Sequence, residues 1–247
     1  MVKGIEIFKE YFKDYTDEYV LIGGAACDII FDDSNASFRV TRDLDMVLII
    51  EALSKEFGEA FWRFVREGGY RNKARSTGEP QFYRFSSPSD QGFPKMIELF
   101  SRTEWAYDEE TVLTPIHIDD SVSSLSAILL NEAYYKALLE GKAVVNGLSV
   151  LRPSWLILFK AKAWLDLKDK SAMGEHVDPN DIKKHRNDIV RITAEMVLDE
   201  CKVEGEIRED VIRFLTEADI TNELIHDLKI YGVKAGDITD RLRSIYL

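Results

Sequence analysis

Cysteine, histidine and proline are scarce in this chain of 247 residues, with two, four and six copies. Cys27 and Cys201 are far apart, and neither has a second thiol nearby to frame a zinc pair. They read as two separate reduced thiols of a reducing cytoplasm, which excludes a disulfide framework. His117, His176 and His185 show no metal-ligand spacing and read as core or surface residues. No apolar run approaches the ~20 residues that span a bilayer. The start, "MVKGIEIFKEYF", is amphipathic where a secretory leader would carry an apolar stretch. The expectation is a cytoplasmic protein with no membrane partner. Positive charge is also short: 32 Lys and Arg against 44 Asp and Glu give a net charge of −12. Such a surface does not attract nucleic acid as a whole, so a nucleic-acid partner must be held by a local patch. Internal repeats and low-complexity segments are absent. What remains is a globular composition, 45% hydrophobic and 31% charged, long enough for one large domain or two small ones.

The hydrophobic pattern changes texture near Pro153. Before it, helical and strand periodicities alternate. A helix is expected over Ile5 to Tyr15, and "YVLIGG" reads as a buried strand ending in a tight turn, with "AACDIIF" continuing as helix. "LDMVLII" is a second strand, and "EALSKEFGEAFWRFVREGG" an amphipathic helix closed by a glycine pair. "QFYRFSS" and "KMIELFS" alternate at period two, and "TPIHID" is a shorter strand candidate. "SLSAILLNEAYYKALLEG" reads as one helix, and "AVVNGLSVL" as an Asn-Gly hairpin. Beyond Pro153 the pattern is helical: Ser154 to Asp169, Pro179 to Cys201, where Asp178 and Pro179 suit a helix start, then shorter helices. The expected organisation is a sheet-containing domain over residues 1–152 and a helical domain over 153–247.

The segment "VTRDLDMVLI" places two aspartates at the mouth of an apolar strand. Residues two apart on a strand share a face, so Asp43 and Asp45 project together, opposite Leu44 and Met46. Adjacent carboxylates repel, and burial raises the cost of keeping both ionised. A divalent cation removes that cost, and Mg²⁺ takes oxygen ligands, commonly one or two carboxylates with substrate phosphates. The alternative is a solvated strand end with the aspartates paired to Arg39 or Arg42; from "DLD" alone both readings stand. Gly23 and Gly24 fall between a strand and a helix, where missing side chains allow close backbone approach and the first helical amides can receive a phosphate. Glu98 is a single carboxylate on the otherwise apolar strand "KMIELFS". Three carboxylates around one or two Mg²⁺ ions are a way to build phosphoryl and nucleotidyl transfer.

Taken together, "LIGGAA", "TRDLDMVL" and "MIELF" resemble the nucleotidyltransferase superfamily of DNA polymerase β, with its pattern hG[GS], Dh[DE]h and a separate h[DE]h. "LSVLRPSWLILFKAKAWLDL" followed by "KKHRNDIVRI" resembles the helical motifs of the AbiEii-type toxins of abortive-infection and toxin–antitoxin systems. The matching motifs are scattered between Tyr19 and Ile192. The gap from Gly24 to Asp43 is longer than the superfamily's usual spacing, Gly24 stands where serine is common, and "HRND" replaces the commoner "KD".

The resemblance implies an α+β fold with a nucleotidyltransferase-type mixed sheet, flanking helices and a mainly helical C-terminal half. It implies that Gly23 and Gly24 face the nucleotide phosphates. Asp43, Asp45 and Glu98 then hold Mg²⁺ or Mn²⁺, with Glu98 also activating the acceptor. Lys160 matches the helix lysine that touches the triphosphate, with Lys162 as its rival, and Asp188 matches a late aspartate that orients this lysine. Lys160 is accordingly expected to be a long exposed side chain. The implied activity is transfer of a nucleoside monophosphate from a nucleoside triphosphate to an acceptor hydroxyl, such as an RNA or tRNA end, by a toxin with a cognate antitoxin. The alternatives are modification of a protein hydroxyl by the same chemistry, and a module that binds nucleotide or antitoxin without turnover.

Other features have plainer readings. Phe61, Trp62 and Phe64 lie on one predicted helix and read as core. Arg63, Arg66, Arg71, Lys73 and Arg75 form a solvated basic face, which is also the best patch for RNA phosphates. "STGEP", 76–80, reads as a turn.

Overall fold

A computed structural model describes residues 2–39, 41–71, 83–102, 113–116 and 125–247. Lys73, Arg75, the 76–80 turn and His117 lie outside the described residues. The chain divides into two compact units, Met1–Leu151 and Arg152–Leu247.

The first unit runs α1 (Ile5–Phe12), β1 (Tyr19–Ile22), α2 (Gly23–Asp33), β2 (Asp43–Leu48), α3 (Lys55–Gly68), β3 (Arg84–Ser86), β4 (Met96–Ser101), β5 (Leu113–Ile116), β6 (Leu125–Leu129), α4 (Glu132–Gly141), β7 (Lys142–Val145) and β8 (Leu148–Leu151). Among the described residues these strands join one mixed sheet in the order β5-β6-β4-β2-β1-β8-β7, with β3 also paired to β4. Strand β2 sits at its centre, antiparallel to β1 and parallel to β4. The unit is α+β.

The sheet forms where alternation and apolar runs demand it. Along β2 and β4, Leu44, Met46, Ile97 and Leu99 are fully buried, while Asp43, Asp45 and Glu98 are only partly covered. Two helices bring aromatic side chains into the core: Phe8 and Phe12 of α1, stacked on each other, meet Phe57, Phe61 and Phe64 of α3 and Tyr19 of β1 in edge and tilted contacts. Ring pairs of this kind add about 0.5–1.5 kcal/mol each beyond the area they bury. Helix α3 begins at Ser54, whose hydroxyl accepts from the Phe57 amide, and ends at Gly69 in the left-handed region. Between β7 and β8, Asn146 and Gly147 both have positive φ, the geometry that an Asn-Gly hairpin turn requires.

One expected helix is a strand followed by a helix. Leu125–Leu129 pairs with β5 and with the end of β4, and α4 starts only after Asn131, whose side chain accepts from the Ala133 amide. A short apolar run has no periodicity to separate strand from helix, and here sheet pairing decides.

The second unit is helical: α5 (Pro153–Ala172), α6 (Pro179–Glu195), α7 (Gly205–Glu217), α8 (Asn222–Asp227) and α9 (Ala235–Tyr246). Pro153 occupies the first turn of α5 and Pro179 that of α6, where a missing N–H costs nothing. Helix α6 stops at Glu195, short of the expected Cys201, and the Arg241 guanidinium hydrogen-bonds the Thr193 and Met196 carbonyls at that end. Cys27 and Cys201 are buried in their respective units and form no disulfide. No helix among the described residues is long and apolar enough to cross a membrane.

Candidate functional site

The sheet unit gathers the three carboxylates on one face. In the parallel pairing of β2 with β4, Asp43 is the register partner of Met96 and Asp45 that of Glu98. Register partners project to the same side, so Asp43, Asp45 and Glu98 share a face while Leu44, Met46, Ile97 and Leu99 fill the other. Asp45 also lies opposite Ile22, the last residue of β1 before the glycine pair.

The glycine pair is fitted to this carboxylate. Gly23 opens α2 with φ +65, a conformation that L side chains rarely adopt, and a Cβ there would overlap Asp45 Oδ2. A Cβ on Gly24 would stand 2.6 Å from Thr41 Oγ1 and 3.6 Å from Arg39 Nη2. The absent side chains therefore let the start of α2 approach the Asp45 carboxylate, with the Thr41 hydroxyl and the Arg39 guanidinium alongside. A carboxylate at a helix N-terminus is favoured by the partial positive charge of the unpaired amides.

Glu98 is engaged by a residue that the motifs do not single out. Arg84 of β3 is its register partner on the side away from β2. Arg84 Nε donates to Glu98 Oε1 at 2.5 Å, and its Nη2 lies against the same oxygen. The Glu98 side chain is 15% exposed and Arg84 46%, so the guanidinium covers the carboxylate on its solvent side. The one sequence signal for this pairing is the period-two alternation of "QFYRFSS", which sets Arg84 opposite Phe85.

The donor set is all oxygen, the chemistry of a hard divalent cation. As the side chains stand, no three Asp, Glu, His or Cys residues among those described are gathered closely enough to hold an ion. Glu98 is turned onto Arg84 instead. Asp43, Asp45 and Glu98 are the oxygen donors that the pairing of β2 with β4 sets on one face.

Lys160 and Asp188 belong to the helical unit, where they meet as a buried ion pair: Lys160 Nζ donates to Asp188 Oδ2 at 2.7 Å, with side chains 2% and 3% exposed. The pair ties α5 to α6. The expectation of an exposed Lys160 is overturned. Lys160 falls on the apolar face of α5, between Ile157 and Ala161, and its charge is buried with a partner. Lys162 is the more exposed of the two lysines and pairs with Asp166 and Asp210.

Of the basic face, Arg63, Arg66 and Arg71 are exposed, with Arg63 over the Tyr11 ring. Phe61 and Phe64 are fully buried, as core residues should be.

Comparison of the chain with protein-family models, with curated proteins and with solved structures finds no match.

Proposed function

We propose that the sheet unit is a nucleotidyltransferase that moves a nucleoside monophosphate from a nucleoside triphosphate to an acceptor hydroxyl. The observation that carries this reading is the placement of Asp45: register partner of Glu98 on one side, and fitted against the Gly23 backbone at the start of α2 on the other. The nucleotidyltransferase motifs call for a glycine turn, two carboxylates on one strand and a third on another, and the register of β1, β2 and β4 is compatible with that grouping.

In the proposed reaction the acceptor oxygen attacks the α-phosphorus. The bond from that phosphorus to the bridging oxygen breaks, and pyrophosphate leaves. Mg²⁺ or Mn²⁺ held by Asp43, Asp45 and Glu98 would supply charge neutralisation on the phosphates. Gly23 and Gly24 bring the start of α2 against the Asp45 carboxylate, next to the Arg39 guanidinium and the Thr41 hydroxyl, so that phosphates drawn to the cation would meet these groups. Glu98 takes the proton of the attacking hydroxyl, a role for which a carboxylate must lie within hydrogen-bond reach of it. The Lys160–Asp188 pair has a structural role in this reading, holding α5 against α6.

The acceptor class is proposed as an RNA end, with Arg71, Lys73 and Arg75 as the basic patch and a cognate antitoxin as protein partner. A second reading, a nucleotide-binding module without turnover, draws on the engagement of Glu98 by Arg84. The deciding experiment incubates the protein with each α-labelled nucleoside triphosphate, Mg²⁺ or Mn²⁺, and separated RNA and protein fractions. Label in RNA supports the proposal, label only in protein replaces the acceptor, and bound but untransferred nucleotide supports the second reading.

A further inference from the structure

We infer that Arg84 is a positioning residue that occupies the cation's place at Glu98 and exchanges that carboxylate for the nucleotide's phosphates when the site fills. This rests on the nucleotidyltransferase reading of Asp43, Asp45 and Glu98.

Three carboxylates on one face repel one another, and an opposite charge beside one of them offsets part of that repulsion. Glu98 lies between two strands that treat it in opposite ways. Strand β2 offers Asp45 at the paired position, a like charge, and β3 offers Arg84, an opposite one. The Glu98 carboxylate is turned toward Arg84, with Nε and Nη2 both on Oε1. Both guanidinium nitrogens meet the single oxygen Oε1, a charge-assisted contact without the two-oxygen fork of a bidentate pair.

Arg84 is also placed to let go. It is half exposed and stands on a three-residue strand, and the Tyr83 ring lies 5.9 Å from its guanidinium carbon. The Arg84 end of the pair is half exposed although Glu98 is mostly covered, so solvent screens the guanidinium and holding its long side chain in place costs entropy. A divalent cation recruiting Glu98 would leave the guanidinium without its carboxylate, beside a site that is receiving a polyanion. Phosphate oxygens accept the same fork geometry as carboxylates. Arg39, in the loop before β2 and near Gly24, and Arg84, on β3 at Glu98, then provide cationic contacts from separate segments. The result is a site that keeps its third carboxylate neutralised until metal and nucleotide arrive together.

The test is Mn²⁺ binding by electron paramagnetic resonance, with and without a non-hydrolysable triphosphate. It compares the wild type with Arg84→Ala, Arg84→Lys, Glu98→Gln, Asp45→Asn and the double variant Arg84→Ala/Glu98→Gln. For Mn²⁺ alone, Arg84→Ala should bind about fivefold tighter than wild type, the factor expected for losing a competing surface ion pair. Arg84→Lys should fall between them. In the Glu98→Gln background, Arg84→Ala should change nothing, because the competition has no carboxylate to act on. For the triphosphate analogue, Arg84→Ala should bind several-fold more weakly, so the two ligands respond in opposite directions. Mn²⁺ binding that depends on Asp45 but is indifferent to Arg84 would overturn this inference and leave the metal site standing. Mn²⁺ binding that is absent from wild type and Arg84→Ala alike would overturn the inference together with the nucleotidyltransferase reading.

Discussion

Asp45 and Glu98 are register partners on the adjacent parallel strands β2 and β4, 53 positions apart in the chain and side by side in the sheet. Against Asp45 on its other flank stands Gly23, whose missing side chain is the space that the Asp45 carboxylate fills. This one relationship links the glycine turn, the paired aspartates and the third carboxylate.

Replacement of Gly23 by alanine should destabilise the protein by two routes. The left-handed backbone costs a non-glycine residue roughly 1–2 kcal/mol, and the new Cβ would overlap Asp45 Oδ2. In urea unfolding, Gly23→Ala should lose more stability than the backbone cost alone. Gly23→Ala/Asp45→Ala should recover the overlap part and not the backbone part. Strictly additive effects would mean that Gly23 and Asp45 do not meet.

Occupation of the site should stabilise the fold. A ligand that binds only the native state at a hundred times its dissociation constant adds about 2.7 kcal/mol. The melting temperature of the wild type should rise with Mn²⁺, and further with a triphosphate present, while Asp43→Asn/Asp45→Asn should show neither increment. Equal increments in both proteins would remove the site from these residues.

The buried pair Lys160–Asp188 should be costly to break and cheaper to replace whole. Removing one partner leaves a buried charge uncompensated, which typically costs about 3–5 kcal/mol. Lys160→Ala should therefore lower the unfolding midpoint strongly, and Lys160→Met/Asp188→Leu should recover most of the loss. Lys162→Ala, at a partly exposed position, should stay within about 0.5 kcal/mol of wild type. A mild Lys160→Ala would show that the pair contributes little to the helical unit.

Acid should release a second ionic network, at the far end of β2 and β4. Burial opposes ionisation of Glu51, but hydrogen bonds from Tyr135 and Arg102 outweigh it and hold the carboxyl below its ordinary value of 4.5. The Tyr135 hydroxyl donates to Glu51 Oε2 at 2.7 Å, and Arg102 Nε to Oε1 at 2.9 Å. A carboxyl lowered on folding stabilises the protein fully above its ordinary value, and that contribution is lost as pH falls through the folded-state value. Wild type should therefore lose stability below about pH 4.5 faster than Glu51→Gln. Superimposable acid limbs for the two proteins would contradict the network.

How much of this was legible in sequence follows from how local each signal is. The shared face of Asp43 and Asp45 follows from the two-residue period of a strand, and the Asn146-Gly147 hairpin from its own dipeptide. The pairing of β2 with β4 is not written locally. That Glu98 stands beside Asp45 comes from sheet pairing between distant segments; the motifs imply only that the three carboxylates act together. Arg84 stayed hidden because its importance comes entirely from the strand opposite. Leu125–Leu129 reads as helix in sequence because an apolar run carries no period, and the β4 and β5 edges that claim it lie elsewhere in the chain. Lys160 and Lys162 are two apart on a helix, about 200° around its axis, so one was bound to be more covered than the other. Which one depended on where α6 packs and on Asp188, 28 positions later.

In the proposed reaction a nucleoside triphosphate is cleaved between its α- and β-phosphates and the α-phosphorus stays on an acceptor. One measurement tests it most directly: parallel incubations with α-labelled and γ-labelled triphosphate, Mg²⁺ and a cell lysate, for wild type and Asp45→Asn. The account predicts acid-precipitable label from the α-position only, pyrophosphate as the released product, and loss of both with Asp45→Asn. Transfer of the γ-label, or α-label transfer that survives Asp45→Asn unchanged, would contradict it.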